Sequence, residues 1–268
     1  MNQASLFGRK LRFWRKARAI SQLELALRAS STPRYICFIE NGRSRPSEQM
    51  VHRLADAMNV PIRERNDLLE SAGFARAYST RTLDEALMSP FSRAVGYIMR
   101  AHEPFPAVVV NRWWDVIDAN SAAIALIGMM GLRKPLQNLV DLMFADDSPL
   151  RACCEDWGPV AHAFLNRMRR EVVHVPCDER LQNLVAFAER QLAETEPPSV
   201  DPDTDLMVCP TMRLGGRRVS VIGVIASFGS AREVTLDELR VECMYPRDSE
   251  SEEFFRGLAE VPPLRVAQ

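Results

Sequence analysis

The sequence predicts two domains: a mainly α N-terminal domain, then an α+β domain whose five-stranded antiparallel sheet has helices inserted between its strands. A chain of 268 residues has room for two hydrophobic cores. The first 75 residues show only apolar stripes at helical spacing, whereas later segments include strand-like runs. Residues 1–75 carry 13 Lys and Arg against 7 Asp and Glu, and the remainder carries 21 against 28. The net charge of −1 is therefore the sum of +6 for residues 1–75, called the head below, and −7 for residues 76–268.

Capping signals mark the first of two short helices. Ser21 followed three residues later by Glu24 forms a capping box, which is typical of a helix N-terminus. Leu23, Ala26 and Leu27 recur at helical spacing. We therefore expect a short helix that buries this face.

A second helix follows after a tight break. Thr32 is a suitable N-cap, and Pro33 occupies the first helical position, where its missing N–H costs nothing. Ile36 and Ile39 are expected to face inward, and Gly42 to end the helix in a left-handed conformation. Two such helices and a basic loop are what a chain needs to lay one helix in the major groove of DNA.

This segment resembles the Xre/Cro type of helix-turn-helix regulators over residues 7–69. The residues in register are Gln22, Ala26, Ile36, Glu40, Gly42 and Pro46. The sequence departs at the turn, where Ser30 stands in place of the usual glycine and Ser31 in place of an apolar residue. Since residues other than glycine seldom adopt positive φ, we expect an altered or weaker turn.

The resemblance implies roles for individual positions. Gln22 should begin its helix and bond a phosphate, and Arg15 and Glu40 should form an internal ion pair. The positions implied to contact DNA are Gln22, Thr32, Pro33, Arg34, Phe38, Asn41, Arg43 and Arg45. Arg34 can bond both acceptors of a guanine and Phe38 can pack on a thymine methyl, whereas the last three would lie along the backbone. The alternative is a solvated Arg34 and a Phe38 packed in the domain's own core.

The remainder of the chain shows both strand and helix patterns. The predicted order is a helix over 93–102, a hairpin over 107–118, a helix over 119–129, helices within 135–195, strands over 206–212 and 217–228, a strand over 239–245 and a tail helix over 253–258. Helices inserted between the second and third of five strands are typical of PAS-type sensor domains. Such domains enclose a small apolar cavity between sheet and helices.

This half also resembles the ligand-binding domain of MmyB-like transcription regulators, from about Glu103 to Leu258. The phrases that carry the resemblance are Glu103-Pro-Phe-Pro-Ala-Val-Val-Val, residues 114–120, Asp156-Trp157, Ser227-Phe-Gly-Ser, residues 234–242 and Tyr245-Pro-Arg-Asp. The resemblance implies a sensor of small, mostly apolar molecules, with fatty acids as the favoured class. The expected division is a DNA-binding domain over 1–75, a linker and connecting helix over 76–102 and a PAS-like ligand-binding domain over 103–260.

Alternation between inward and outward faces nominates residues for the cavity wall. The candidates are Val110, Trp114, Ile117, Leu126, Phe164, Met168, Ile225 and Phe228. The same residues are equally expected as ordinary core, because inner faces are apolar whether or not a ligand fits. A carboxylate ligand would need a cationic partner, and the sequence does not choose among Arg112, Arg167, Arg169 and His162.

Other classes of function lack their motifs. There is no glycine-rich phosphate loop, nucleophile elbow or zinc-protease motif, so neither an enzyme nor a cofactor or metal is expected. No apolar run approaches the roughly 20 residues of a membrane span, and a cytoplasmic protein is expected. The six cysteines are scattered, and the adjacent Cys153 and Cys154 are expected as partly buried thiols, with redox sensing as the alternative.

Two functions remain open from the sequence. The first is a ligand-responsive transcription regulator, expected to bind double-stranded DNA as a homodimer and to sense a small apolar ligand. The second is a DNA-binding protein whose C-terminal domain is only a scaffold for dimerisation or protein interaction.

Overall fold

The computed structural model describes residues 3–80, 90–132, 135–198, 207–229 and 231–259, and all structural statements concern this part. The chain divides into two compact units. One comprises residues 1–82 with the short segments 171–178 and 230–237, and the other comprises the rest. The expected boundaries near residues 75 and 103 stay predictions, because residues 81–89 between them lie outside the described part.

The N-terminal part of the described chain consists of helices. They are α1 (Gln3–Ala17), α2 (Gln22–Arg28), α3 (Pro33–Glu40), α4 (Glu48–Ala57) and α5 (Ile62–Ala72). They share one hydrophobic core, which includes Phe7, Leu11, Leu25, Ile36 and Leu54. The predicted all-helical head is confirmed.

The predicted caps of α2 and α3 are present. The Ser21 hydroxyl accepts a hydrogen bond from the Glu24 N–H at 3.0 Å, and the Thr32 hydroxyl accepts one from the Tyr35 N–H at 3.2 Å. Gly42 has the expected positive φ, +70°, directly after α3. Both helices therefore begin and end where local chemistry predicts.

The prediction for the buried face of α2 was right for Ala26 and wrong for Leu23 and Leu27. Leu25, Ala26 and Ala29 are buried, whereas Leu23 and Leu27 are 57% and 71% exposed. A two-turn helix with four apolar residues offers two overlapping stripes, and the pattern alone does not choose between them. Packing of α2 against α3 and α4 selects the stripe with the smaller residues.

The other unit is built on a five-stranded antiparallel sheet, as predicted. Its strands are β1 (Ala107–Val110), β2 (Val116–Ala119), β3 (Thr211–Leu214), β4 (Arg217–Ser227) and β5 (Arg240–Pro246), in the order β2-β1-β5-β4-β3. The last strand along the chain lies in the middle and joins the N-terminal hairpin to the C-terminal one.

Helices precede, interrupt and follow this sheet. They are α6 (Pro90–His102), α7 (Ser121–Met129), α8 (Leu139–Phe144), α9 (Pro149–Cys153), α10 (Trp157–His174), α11 (Glu179–Gln191), α12 (Val234–Glu238) and α13 (Ser249–Ala259). α9 lies in the range predicted to be helical but was not resolved there as a separate helix, and α12 was not predicted, because five residues are too few to show a helical period. The helices between β2 and β3 match the predicted insertion.

The third strand begins later than predicted. The predicted strand covered 206–212, but β3 starts at Thr211 and residues 199–206 lie outside the described part. Pro210 directly precedes β3 and has no N–H to donate to a ladder. Its carbonyl still accepts a hydrogen bond from the Val221 N–H at 2.9 Å.

Candidate functional site

The exposed face of α3 brings together the residues predicted to reach base edges. Thr32, Pro33 and Arg34 are exposed and Phe38 is half-buried. The guanidinium carbon of Arg34 lies 5.3 Å from the centre of the Phe38 ring, one helical turn away. A cation–π contact therefore holds the guanidinium on the outer face of the helix.

The residues predicted to follow the DNA backbone flank α3. Asn41, Arg43 and Arg45 are exposed after its C-terminus. Arg12 Nη2 donates to Asn41 Oδ1 at 2.7 Å, and Asn41 Nδ2 donates to the Cys37 carbonyl at 2.9 Å. The amide of Asn41 is thus oriented by the protein, and Arg43 and Arg45 are exposed residues of a basic loop.

A buried carboxylate locks α1, α2 and α3 together. The Glu40 side chain has no exposed area. It accepts hydrogen bonds from Arg15 Nε at 2.6 Å and Nη2 at 3.0 Å, from Arg12 Nε at 3.2 Å and from Gln22 Nε2 at 2.8 Å. The implied ion pair of Arg15 with Glu40 is confirmed. Gln22 begins α2 as implied, and its side-chain amide donates a hydrogen bond to the Glu40 carboxylate.

The protonation of Glu40 follows from these bonds. Burial alone raises the pKa of a carboxyl group, but the bonds from Arg15, Gln22 and Arg12 and the Arg15 charge outweigh it and hold the pKa of Glu40 below its ordinary value. The bond to Glu40 correspondingly raises the pKa of Arg15. The pair is therefore ionised at neutral pH and ties α3 to α1.

The sequence did not predict that α1 and α3 approach each other closely at Gly8. A Cβ atom at Gly8 would lie 2.5 Å from the Ile39 carbonyl oxygen and 2.7 Å from that of Glu40. Both distances are far below van der Waals contact, so only glycine allows the two backbones to pack at this point. A glycine inside an amphipathic helix is the one signal that pointed here.

The turn between α2 and α3 keeps its shape without glycine. Ser30 has φ of +50°, in the left-handed region. The Ser31 N–H donates to the Ala26 carbonyl at 2.8 Å and the Ser30 N–H to the Leu27 carbonyl at 3.2 Å, which is a Schellman ending. The turn is therefore regular in its hydrogen bonds, and its strain is confined to Ser30.

A partly enclosed apolar cavity of about 100 Å³ lies in the sheet-containing unit. Its wall comes from α7 with Ala123, Leu126 and Ile127, from β1 with Val108 and from β4 with Val221. Four methionines also line it: Met130, Met143, Met212 and Met244. The described wall is wholly apolar, so the cavity offers shape and hydrophobic contact but no charge.

Most residues predicted for the cavity wall lie elsewhere. Of the eight, only Leu126 lines this cavity. Val110, Trp114 and Met168 are buried in the core, Ile117, Phe164 and Phe228 are half-buried, and Ile225 is 46% exposed. Beyond residue 221, β4 is largely exposed, so the inner-face alternation read from its sequence does not continue to its end.

Trp114 combines backbone strain with an unused donor. Its φ is +60°, unusual for a bulky residue, and its side chain is fully buried. Its Nε1 has no hydrogen-bond partner among the described residues. The ring packs on Phe164 at 5.6 Å between centroids, and the Trp114 carbonyl accepts from the N–H of Leu139, a cavity residue.

The cationic candidates for a carboxylate partner have other partners. Arg112 pairs with Glu238 at 2.8 Å, and the bond from Arg167 Nη1 to Glu242 measures 2.9 Å. The remaining two pairs are Arg169 with Glu189 at 2.8 Å and His162 with the Thr195 carbonyl at 3.1 Å. None of the four candidates is in the described wall of the cavity.

The surroundings of the adjacent cysteines disfavour their thiolate forms. Cys154 lines the cavity, and burial, aided by the nearby Asp156, raises the pKa of its thiol to about 12. Burial also raises the pKa of Cys153. Because the thiolate is the reactive form, neither thiol is primed for redox chemistry at neutral pH. Within the described residues, no three side chains of metal-binding type come together.

Comparison with known families agrees with both folds. A helix-turn-helix family matches residues 11–65, and the MmyB-like transcription regulator ligand binding domain matches residues 91–258. A search of curated proteins found no match. In the part of the chain that the structure describes, no helix has the length and apolar character needed to cross a bilayer. Neither matched family is a family of enzymes. Because the second match covers more than half of the chain, this protein belongs to the MmyB-like family and is a DNA-binding transcription regulator with a ligand-binding domain.

Proposed function

We propose that this protein binds an operator through α3 as a homodimer and that a small apolar ligand in the cavity changes its affinity for DNA. The observation that carries the proposal is the partly enclosed apolar cavity in the domain that follows the helix-turn-helix. A dimer would place two heads on half-sites about one helical turn apart, as helix-turn-helix proteins commonly do. Coupling then means that ligand and DNA alter each other's affinity.

The face of α3 supports the DNA-binding half of this proposal. Arg34 stands exposed at its N-terminal turn and is oriented by Phe38, so its guanidinium is available for a guanine. Arg43 lies in the basic loop beyond the helix, where it would meet phosphates. The two arginines should therefore contribute differently to specificity.

A matched pair of variants tests this assignment. Arg34→Ala should reduce discrimination at one base pair by about 1–3 kcal/mol, whereas Arg43→Ala should weaken binding to all sequences alike and flatten the salt dependence. The measurement is affinity for a selected operator and its single-base variants at several salt concentrations. Uniform loss of affinity in both variants would contradict base readout by Arg34.

Trp114 lies outside the cavity wall but contacts it through the hydrogen bond from the Leu139 N–H to the Trp114 carbonyl. A strained backbone and a buried donor without a partner in one residue cost free energy, and such features cluster at functional sites.

The ligand is tested on the full-length protein purified from cells. Native mass spectrometry should reveal a dimer with a bound small molecule, and a panel that includes fatty acids should contain compounds that raise Tm. A ligand-free dimer that no compound stabilises would favour the alternative, in which the C-terminal domain is only a scaffold.

A further inference from the structure

The second half of β4 has a partner strand on one side only within the described chain. β3 pairs with β4 as far as Ser220, whereas β4 continues to Ser227 and pairs there with β5. We propose that the open edge, residues 222–227, pairs antiparallel with the same edge of a second copy and joins two sheets into one. This rests on the proposed function, because it names the surface through which the homodimer forms.

The open edge presents backbone groups that lack partners in the described chain. The Val221 N–H points away from β5, since it donates to the Pro210 carbonyl at 2.9 Å. By the alternation of an antiparallel ladder, the backbone N–H and C=O groups of Gly223, Ile225 and Ser227 point the same way. No described residue bonds to these outward groups. Their spacing is that of a strand edge, which a further strand can extend.

The chain covers the outer sides of the two strands that end the sheet. On the outer side of β3, the Glu155 N–H donates to the Thr211 carbonyl at 2.8 Å. On the outer side of β2, the Val116 N–H donates to the Gln137 carbonyl at 2.8 Å. Proteins commonly cover sheet edges with such segments, because a bare edge pairs with other chains. Within the described sheet, residues 222–227 are the stretch without this cover.

The side chains of the open edge favour a strand as its partner. Val224 and Ile225 are each 46% exposed, and as neighbours in a strand they point to opposite faces of the sheet. A helix laid on the sheet would cover one of them, whereas a strand added at the edge flanks both. Residues 222–227 contain no charged residue and no proline, which commonly protect exposed edges from pairing.

Charge and symmetry select a second copy as this strand. An antiparallel pair centred on Ile225 places the two Ile225 residues opposite each other. Gly223 then lies opposite Ser227, so the outward groups of all three residues find partners. On the other face Val224 lies opposite Ala226, and no like charges meet. The contact uses the same patch on both subunits, which is what a two-fold homodimer requires.

A cross-link tests the pairing and its register. The full-length Ile225→Cys variant, oxidised with copper phenanthroline, should form a covalent dimer, because Cα atoms about 5.5 Å apart in such a pair are within reach of a disulfide. Peptide mass spectrometry should find position 225 linked to position 225. Ile124→Cys is the matched control, because Ile124 is 60% exposed on α7, away from the open edge. It should give no link between two copies of position 124.

A charge at the centre of the pair tests the same contact by affinity. Ile225→Lys sets two like charges opposite each other, so sedimentation equilibrium should show a dimer Kd raised at least about ten-fold. Glu242, the neighbour of Ile225 on β5, is already paired with Arg167, so the added charge acts mainly across the interface. Ile124→Lys should stay within about two-fold of wild type. Mixing Ile225→Lys with Ile225→Glu should recover the affinity, which a misfolded variant would not do.

The outcomes separate this inference from the proposed function. A dimer that gives no link at position 225 and tolerates Ile225→Lys would overturn pairing through the open edge and leave the proposed homodimer intact. A link from position 225 to a different position would overturn the two-fold register. A wild-type protein that stays monomeric, even on operator DNA, would overturn both the inference and the proposed homodimer.

Discussion

Replacing Glu40 by glutamine should loosen the head at the point where α3 is held. The variant keeps the shape of the side chain but removes its charge, and it leaves Arg15, whose side chain is only 13% exposed, without a counter-ion. Breaking a buried ion pair typically costs about 3–5 kcal/mol. The Arg12 side chain is 43% exposed, so solvent screens its attraction to Glu40. We therefore expect the free energy of unfolding to fall by about 3 kcal/mol, near the lower end of that range.

The loss should depend on pH in a defined direction. The folded pKa of Glu40 lies below its ordinary value of 4.5. The carboxylate therefore contributes its full stabilisation above the ordinary value, and that contribution disappears as the pH falls through the lowered pKa. The difference between wild type and Glu40→Gln should accordingly be large at pH 7 and shrink in acid.

Hydrogen exchange of the α3 amides in increasing urea measures the loss of stability in Glu40→Gln at this helix itself. The unfolding of the second domain therefore does not interfere. Glu70→Gln is the matched control, because its bond to Arg76 is a largely exposed ion pair, and solvent screening should make its loss much less costly than that of Glu40. A Glu40→Gln cost as small as that of the control, or one that stays constant from pH 7 to pH 3, would refute this account of the network.

Three further variants or probes test individual contacts. Gly8→Ala would stabilise an ordinary helix by about 0.5–1 kcal/mol, but here the new methyl meets two carbonyl oxygens, so we expect a loss of about 2 kcal/mol in urea unfolding. Ser30→Gly should gain about 0.5 kcal/mol in the same assay, because it relieves the left-handed backbone. Cys154 should resist iodoacetamide at pH 8 in the folded protein, while the exposed Cys177 reacts, as peptide mass spectrometry would show.

Each of these has a clear contrary result. A stabilising Gly8→Ala would mean that α1 and α3 do not approach as closely as the structure places them. A destabilising Ser30→Gly would mean that the serine side chain contributes more than its backbone strain costs. Equal alkylation of both cysteines would mean that the cavity wall opens readily to solvent.

Much of the head was predictable because its signals are local. The caps at Ser21 and Thr32 and the stop at Gly42 depend on residues a few positions apart, and the structure has all three. The inward face of α3 was also correct, since Ile36 and Ile39 are its apolar pair. The order of strands and inserted helices followed from periodicity in the same way.

The errors and omissions have a common physical cause. Choosing the buried stripe of α2 required knowing which helices pack on it. Gly8 matters only because distant backbone comes within 2.5 Å of where its Cβ would be. Both facts concern contacts between segments far apart in sequence, which no local pattern records.

The same distinction between local and long-range contacts separates the residues predicted for DNA from those predicted for the cavity wall. Except for Gln22 on α2, the residues predicted for DNA lie on α3 and its flanks, so sequence spacing alone placed Arg34 and Phe38 one turn apart. The cavity is enclosed by segments from Val108 to Met244, and alternation along each one identified inner faces without showing which of them meet at a gap. Only Leu126 of the eight predicted residues lines it.

The sequence by itself therefore determined the two folds, the helix-turn-helix and the basic charge of the head, because these depend on neighbours along the chain. The tertiary structure alone decided where the empty space lies, which arginines are already paired and why residue 8 must be glycine. Voids and ion pairs exist only between segments, and their positions are set by how those segments pack.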